Sequence, residues 1–275
     1  MSLKQIIRAQ KQSDLIITPK LQAFLMNNPQ LYFDESIGDF IRDVITTQPR
    51  VRSGSFSASS AGMCQRRQVF SYLGIDSGGV NGFQLQNIFE DGKWRHLRWQ
   101  AILLQAGLLD KAEVPLDWPK MRSKGSMDGQ GTVPDDHPRK EWRGMEYGFE
   151  LKGVSPYVYD SYIQQGGKIE HKKQVHRYFL ASGVDLFVIL YENKATQVWH
   201  EWVIEPDSLL LKEQQDELDE LNESVVNEQL PPILSGCQVA KGTEYNQCPY
   251  GKNSGVCSAM KDQWPVPVTI KKKGK

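Results

Sequence analysis

A chain of 275 residues with 39% hydrophobic content can bury a substantial core, and its length fits one large domain with additions at both ends. The formal net charge is zero, which on average argues against a partner as acidic as nucleic acid. No run of about 18 apolar residues occurs, and the opening MSLKQIIRAQKQSD lacks the apolar stretch and small-residue cleavage site of a secretory leader. A membrane-spanning or secreted protein is therefore not expected; a cytoplasmic one with no membrane partner is.

Residues 1–50 mix short apolar clusters with polar spacers and read as a peripheral helical segment, followed by a small-residue loop from Arg52 to Gly62. From Phe83 to Leu109 the residues Leu85, Ile88, Phe89, Trp99, Ile102, Leu103 and Ala106 recur at mostly helical spacing, with Gly92 weakening the middle. This predicts a helix or a broken helix pair. Three short segments follow, Ala112 to Leu116, Lys124 to Val133 and Glu146 to Val154, each bounded by turn formers or charges and each predicted as a strand. Residues 168–182 carry Ile169, Val175, Tyr178 and Phe179 and stop before Gly183, as an amphipathic helix does. DLFVILYE is then an apolar strand, and TQVWHEWVIE its alternating hairpin partner. Residues 206–228 form an amphipathic helix with Leu211, Leu218 and Val225 seven apart, ended by Pro231 and Pro232 and read as packed on the core. Residues 205–228 hold nine acids against Lys212 alone. The rest of the chain has 32 basic side chains to 24 acidic ones, a balance able to meet phosphate.

The predicted strands carry the chemistry. Asp128, in GSMDGQG, is a carboxylate among glycines that allow close approach of a backbone or ligand. In Phe149-Glu150-Leu151-Lys152-Gly153, the two-residue period of a strand puts Glu150 and Lys152 on one face and Phe149 and Leu151 on the other. Carboxylates converging from neighbouring strands suit a hard divalent cation, and the amine can hold phosphate or position the nucleophile. Read alone, Glu150 and Lys152 fit an ordinary exposed ion pair better than a catalytic one, and it is their context that reverses this. On the following helix Gln174 and Tyr178, four apart, share a face from which an amide and a phenol can orient the lysine. Upstream, His96 in FEDGKWRH is either a structural histidine or a further ligand.

The ordered set His96, Asp128, Glu150-x-Lys152 and Gln174-x-x-x-Tyr178 resembles the RecB-like branch of the PD-(D/E)XK nuclease superfamily, over roughly residues 55–260. The resemblance implies an α/β fold with an αβββαβ core, a mixed sheet and flanking helices. It implies phosphodiester hydrolysis with Mg²⁺ or Mn²⁺. Asp128, Glu150, the Leu151 carbonyl and His96 would be ligands, Lys152 would position the nucleophile, and Gln174 and Tyr178 would support it.

In a reducing compartment the four cysteines are buried thiols or metal ligands rather than disulfides. Cys64 precedes the nuclease-like core, while Cys237, Cys248 and Cys257 follow it. That placement resembles the iron-sulfur subgroup, which includes the AddB nucleases and CRISPR-associated exonucleases, and implies a 4Fe-4S cluster joining the N- and C-terminal parts. The family's closer pairing of trailing cysteines is missing here, so Cys237 matches least well; a Zn²⁺ site is the alternative, although no C-x-x-C pair occurs. The division expected is a peripheral segment over 1–50, a nuclease domain with its cluster over 51–260 and a basic tail over 261–275.

Basic and aromatic residues interleave in Lys93-Trp94-Arg95-His96-Leu97-Arg98-Trp99 and in Arg139-Lys140-Glu141-Trp142-Arg143, with Lys172, Lys173 and Arg177 on the Gln174 helix. Together with Arg66 and Arg67, the residues Lys93, Arg95, Arg98, Lys172, Lys173 and Arg177 are the candidate DNA contacts, because cations neutralise phosphates and aromatic rings stack on unpaired bases. The function expected is a stand-alone DNA exonuclease of recombination, repair or phage DNA processing, with single-stranded or duplex ends as substrate and a single-strand annealing protein as a possible partner. No helicase P-loop motif occurs. The alternatives are a CRISPR-adaptation-type trimming nuclease and a non-catalytic, cluster-stabilised DNA-binding module.

Overall fold

In the computed structural model, residues 13–47, 54–77, 82–239, 241–252, 254–260 and 262–265 are described. The basic tail expected over 261–275 lies almost wholly outside them. In chain order the elements are α1 (Thr18–Asn27), α2 (Glu35–Thr46), β1 (Phe56–Ser57), α3 (Gln65–Tyr72), α4 (Phe83–Gln105), β2 (Lys111–Trp118), β3 (Ser123–Thr132), β4 (Glu146–Val154), α5 (Pro156–Gln164), α6 (Ile169–Ser182), β5 (Leu186–Asn193), β6 (Trp199–Ile204) and α7 (Ser208–Val226). The short helices α8 (Ser235–Gln238), α9 (Gly242–Gln247) and α10 (Val256–Met260) follow. The expected αβββαβ order is present as α4, β2, β3, β4, α6 and β5, with α5 inserted and β6 and α7 appended.

The described strands form one mixed sheet of six. Every residue of β5 is buried, as expected of a strand covered by helices on both faces. It runs parallel to β4 and antiparallel to β6. The pleat sorts its side chains: Val188 and Leu190 join Phe149 and Leu151 of β4 beneath Trp99, Ile102 and Leu103 of α4, while Phe187 and Ile189 meet Val175, Tyr178 and Phe179 of α6. Phe187 is fully buried, and truncating such a ring costs about 3–5 kcal/mol. A third apolar cluster, with Phe56, Phe70, Leu218, Leu221 and Tyr250, joins β1 and α3 to α7 and the C-terminal helices.

Two features differ from the sequence expectations for physical reasons. Helix α4 runs unbroken through Gly92, because buried residues such as Leu97, Trp99 and Leu103 anchor its second half. Helix α5 starts at Pro156, whose fixed φ suits the first turn, directly after a strand, where an aromatic-rich segment offers no clear period. The N-terminal segment contributes Ile16, Ile17 and Leu21 to the main core. Its entry into α1 is held by the buried Glu201 carboxylate, which accepts the N–H groups of Ile16 at 2.7 Å, Ile17 at 3.0 Å and Thr18 at 2.7 Å.

The pairing of β3 positions the site. Strand β2 lies antiparallel along one edge of β3 from Ser123 to Gln130. The opposite edge is shared: β1 pairs with Ser123 and Lys124, and β4 pairs only from Gly129 onward. Among the described strands, residues from Gly125 to Asp128 therefore have no neighbour on that edge, which leaves a gap in the ladder. Tyr178 closes part of it, its hydroxyl donating to the Ser126 carbonyl at 3.0 Å. Its ring fits because position 125 is glycine: a Cβ there would sit 3.2 Å from the Tyr178 ring and 3.1 Å from the Ala58 Cβ.

Candidate active site

The gap between β3 and β4 gathers the residues that the strand and helix periods placed together. Asp128 reaches across it, its Oδ2 accepting the Leu151 N–H at 2.7 Å and lying 3.1 Å from His96 Nδ1. On β4, Lys152 Nζ donates to Glu150 Oε1 at 2.6 Å and to Gln174 Oε1 at 2.8 Å. The Gln174 amide donates to Glu150 Oε1 at 2.8 Å and to the Tyr178 hydroxyl at 2.7 Å. Lys152 is thus held from two sides, and its acceptors are held in turn.

Gln100, one turn after His96 on α4, escaped the sequence reading. Its amide donates to the Asp128 carbonyl at 2.9 Å and to Glu113 Oε1 at 2.7 Å. Helix α4 therefore grips Asp128 twice, by side chain through His96 and by main chain through Gln100. The four-residue spacing from His96 was the available signal.

Two acids, a lysine and a histidine share the site, and burial shifts their balance. Glu150 is 4% exposed, and burial first, then the Asp128 carboxylate, pushes its pKa well above the usual carboxylate range against the pull of Lys152 and His96. Burial works against the His96 imidazolium, but the Asp128 carboxylate outweighs it and raises the pKa. Glu150 Oε2 is buried with no hydrogen-bond partner. A buried carboxylate oxygen left without a donor beside a second acid is an environment a cation would relieve. Asp128 and Glu150 are thus a fitting donor set for Mg²⁺ or Mn²⁺. Among the described residues, no three His, Cys, Asp or Glu side chains are already gathered as a cation cage.

Several expected DNA contacts have other partners. Arg66 and Arg177 are each 1% exposed and cannot meet phosphate as they stand. Arg66 lies beside the cysteines with Asp262 at 3.3 Å, and Arg177 is enclosed by groups from α3 and α7. Arg95 and Arg98 converge on the buried Glu192 at 2.9 and 2.6 Å, with the Trp99 indole N–H donating to the same carboxylate. Lys173 pairs with Glu213 at 2.6 Å. Trp99 and Trp142 are core rings, Trp142 lying under the Arg139 guanidinium at 3.9 Å. Lys93 and Trp94 are exposed on α4, and Arg67 and Lys172 are half-buried.

The cysteines converge although their spacing is irregular. Cys64, Cys237, Cys248 and Cys257 all line one cavity of about 250 Å³, together with Arg66 and Arg67, and none forms a disulfide. Burial raises the Cys257 pKa, Arg66 opposes it, and Cys64, Cys237 and Cys248 raise it further, so the other three sulfurs are within electrostatic reach of Cys257. The chain between Cys237 and Cys248 winds through α9, which returns Cys248 to the same cavity.

No protein-family profile matches the chain, and no curated protein matches its sequence. Among solved structures, the alkaline exonuclease LHK-Exo from Laribacter hongkongensis is similar with a TM-score of 0.46 at 17% identity, over 64% of this chain and 89% of that one. LHK-Exo in complex with dAMP gives 0.47 at the same identity and coverage. SSO0001 gives 0.47 at 15% identity, over 81% of this chain and 94% of its own.

Proposed function

We propose that this chain is a metal-dependent deoxyribonuclease acting at DNA ends, with Asp128, Glu150 and Lys152 at its centre. The observation that carries the reading is the pair of acids at the gap between β3 and β4, one with a buried oxygen lacking any donor, beside a lysine oriented by Gln174 and Glu150. Asp128 and Glu150, with His96 and the Leu151 carbonyl, would hold Mg²⁺ or Mn²⁺, which when bound offsets phosphodiester charge and favours attack by water. Lys152 directs its ammonium from a fixed position toward the nucleophile or the phosphate, and Gln174 with Tyr178 keeps it from swinging away. Lys93 and Trp94, exposed on the helix that carries His96, offer a cation and a ring to the incoming strand. The preference for ends rests on the resemblance of the cysteine placement to iron-sulfur exonucleases.

The cysteine cavity fits a 4Fe-4S cluster by its donor set, four thiols around one space, and by the buried Arg66, whose charge suits thiolates. Zn²⁺ is the competing occupant.

The test is incubation of the full chain with end-labelled linear DNA, single- and double-stranded, and with covalently closed circles, in Mg²⁺, Mn²⁺ or EDTA. Metal-dependent loss of linear DNA with intact circles is expected, abolished in Glu150→Ala. Binding without cleavage under every metal would make the chain a DNA-binding module, and equal attack on circles would make it an endonuclease.

A further inference from the structure

Arg177 is a buried charge that the site chemistry does not use. Its guanidinium engages four residues on three elements: Nε donates to Gln214 Oε1 at 3.0 Å, Nη1 to the Ser57 carbonyl and to Gln68 Oε1, both at 3.2 Å, and Nη2 lies 3.0 Å from Glu217 Oε2 as an ion pair without hydrogen-bond alignment. The ring closes, because the Gln68 amide donates to Glu217 Oε1 at 2.7 Å and to the Met63 carbonyl at 2.9 Å, and the Gly62 N–H donates to Glu217 Oε2 at 3.2 Å. One side chain of α6 thereby fixes that helix against β1, α3 and α7.

Stability alone is a weak reason for such a device, since a buried ion pair can often be replaced by apolar side chains of similar size without loss. What apolar packing lacks is direction. A planar guanidinium with five N–H groups tolerates little rotation or sliding of the helix that bears it. Helix α6 also bears Gln174, three residues earlier, and Tyr178, the next residue, which together hold Lys152 and Glu150. We infer that Arg177, locked by Glu217 and Gln68, is a positioning residue that sets the height and rotation of α6 and through Gln174 places Lys152 and Glu150. The inference rests on the nuclease reading for its consequence in turnover, but not for its geometry.

The test compares Arg177→Met, Glu217→Met and the double variant in the full chain. Thermal melting reports stability, calorimetric Mg²⁺ titration reports the placement of Glu150 without any cleavage, and single-turnover DNA cutting reports Lys152. Each single variant strands a buried charge or its partners and should melt well below wild type. The double variant should recover part of that loss, yet bind Mg²⁺ more weakly and cut on the order of tenfold to a hundredfold more slowly, the scale expected for a misplacement near 1 Å. A folded double variant with wild-type Mg²⁺ affinity and wild-type cutting overturns the inference, because the ring would then be structural only. Should wild-type protein bind Mg²⁺ yet leave DNA intact, the nuclease reading fails, and the Mg²⁺ affinities alone decide this one.

Discussion

Asp128 takes the main-chain N–H of Leu151 at 2.7 Å across a gap in the sheet that no strand pairing fills. The ladder between β3 and β4 ends at Gly129 and Phe149, and the Leu151 N–H of β4 would otherwise meet no strand carbonyl. A carboxylate thus substitutes for a strand carbonyl, so Asp128 both closes the sheet locally and supplies negative charge.

The two roles separate by substitution. Asp128→Asn keeps an oxygen for the Leu151 N–H and should melt within a few degrees of wild type, but it loses the charge and should cut no DNA. Asp128→Ala also leaves a partly buried N–H unpaired, a cost of about 1–3 kcal/mol, so it should lose stability together with cleavage. Paired melting curves and end-label assays check this; an active Asn variant would remove Asp128 from the chemistry.

The contacts around Lys152 predict a graded series. Lys152→Ala should abolish cleavage. Gln174→Ala, which removes one of two acceptors of Lys152, and Tyr178→Phe, which removes a bond to Gln174 and one to Ser126, should each reduce turnover partially while DNA affinity stays near wild type. A Tyr178→Phe variant as dead as Lys152→Ala would mean that the phenol acts directly.

Much of this arrangement is local and therefore legible in the sequence. Glu150 and Lys152 share a strand face by a period of two, Gln174 and Tyr178 a helix face by a spacing of four, and the apolar run of β5 marks a strand buried on both sides. The basic residues were read less well. Arg177 finds partners on α3 and α7, Arg66 pairs with Asp262, and Arg95 and Arg98 converge on Glu192, all from distant parts of the chain. A local pattern of Arg and Lys gives a count of cations but does not reveal which distant carboxylate will bury them. The two-residue strand β1 and the gap it helps to define were equally invisible, being too short to show a period.

His171 makes acid stability predictable in sign. Burial first, then Lys152 and Lys168, lowers its pKa to about 3, and its Nδ1 lies 2.9 Å from the Tyr191 hydroxyl, which already accepts the Lys168 N–H. The folded protein holds the imidazole neutral, whereas the unfolded chain protonates it near the ordinary histidine value of about 6.5. The stabilising contribution is therefore complete above about pH 6.5 and is lost progressively as pH falls toward 3. Melting temperature measured from pH 7.5 to 4 should fall more steeply in wild type than in His171→Gln, which has no proton to gain. Parallel pH dependence in the two proteins would show that His171 is charged in the fold.

The convergence of four cysteines from both ends of the chain predicts a bound cluster. Anaerobically purified protein should be brown and carry about four irons per chain. Cys64 lies immediately before α3, whereas Cys237 and Cys257 lie in α8 and α10 and Cys248 directly follows α9, so a cluster on all four would tie segments that otherwise meet through the apolar group around Phe70 and Tyr250. Such a tie restricts the unfolded chain by closing a long loop, and replacing Cys64 or Cys257 by Ser should lower the melting temperature by several degrees as iron is lost. Cys237 is the discriminating position. It lines the same cavity as the other three, so Cys237→Ser should lose iron as fully as Cys64→Ser, although its sequence spacing alone sets it apart. The Asp128 and Glu150 site lies on other elements, and residual metal-dependent cutting should survive in these variants. Colourless wild-type protein with one zinc per chain, or with four thiols that titrate freely in the folded state, would exclude the cluster and leave the nuclease proposal intact.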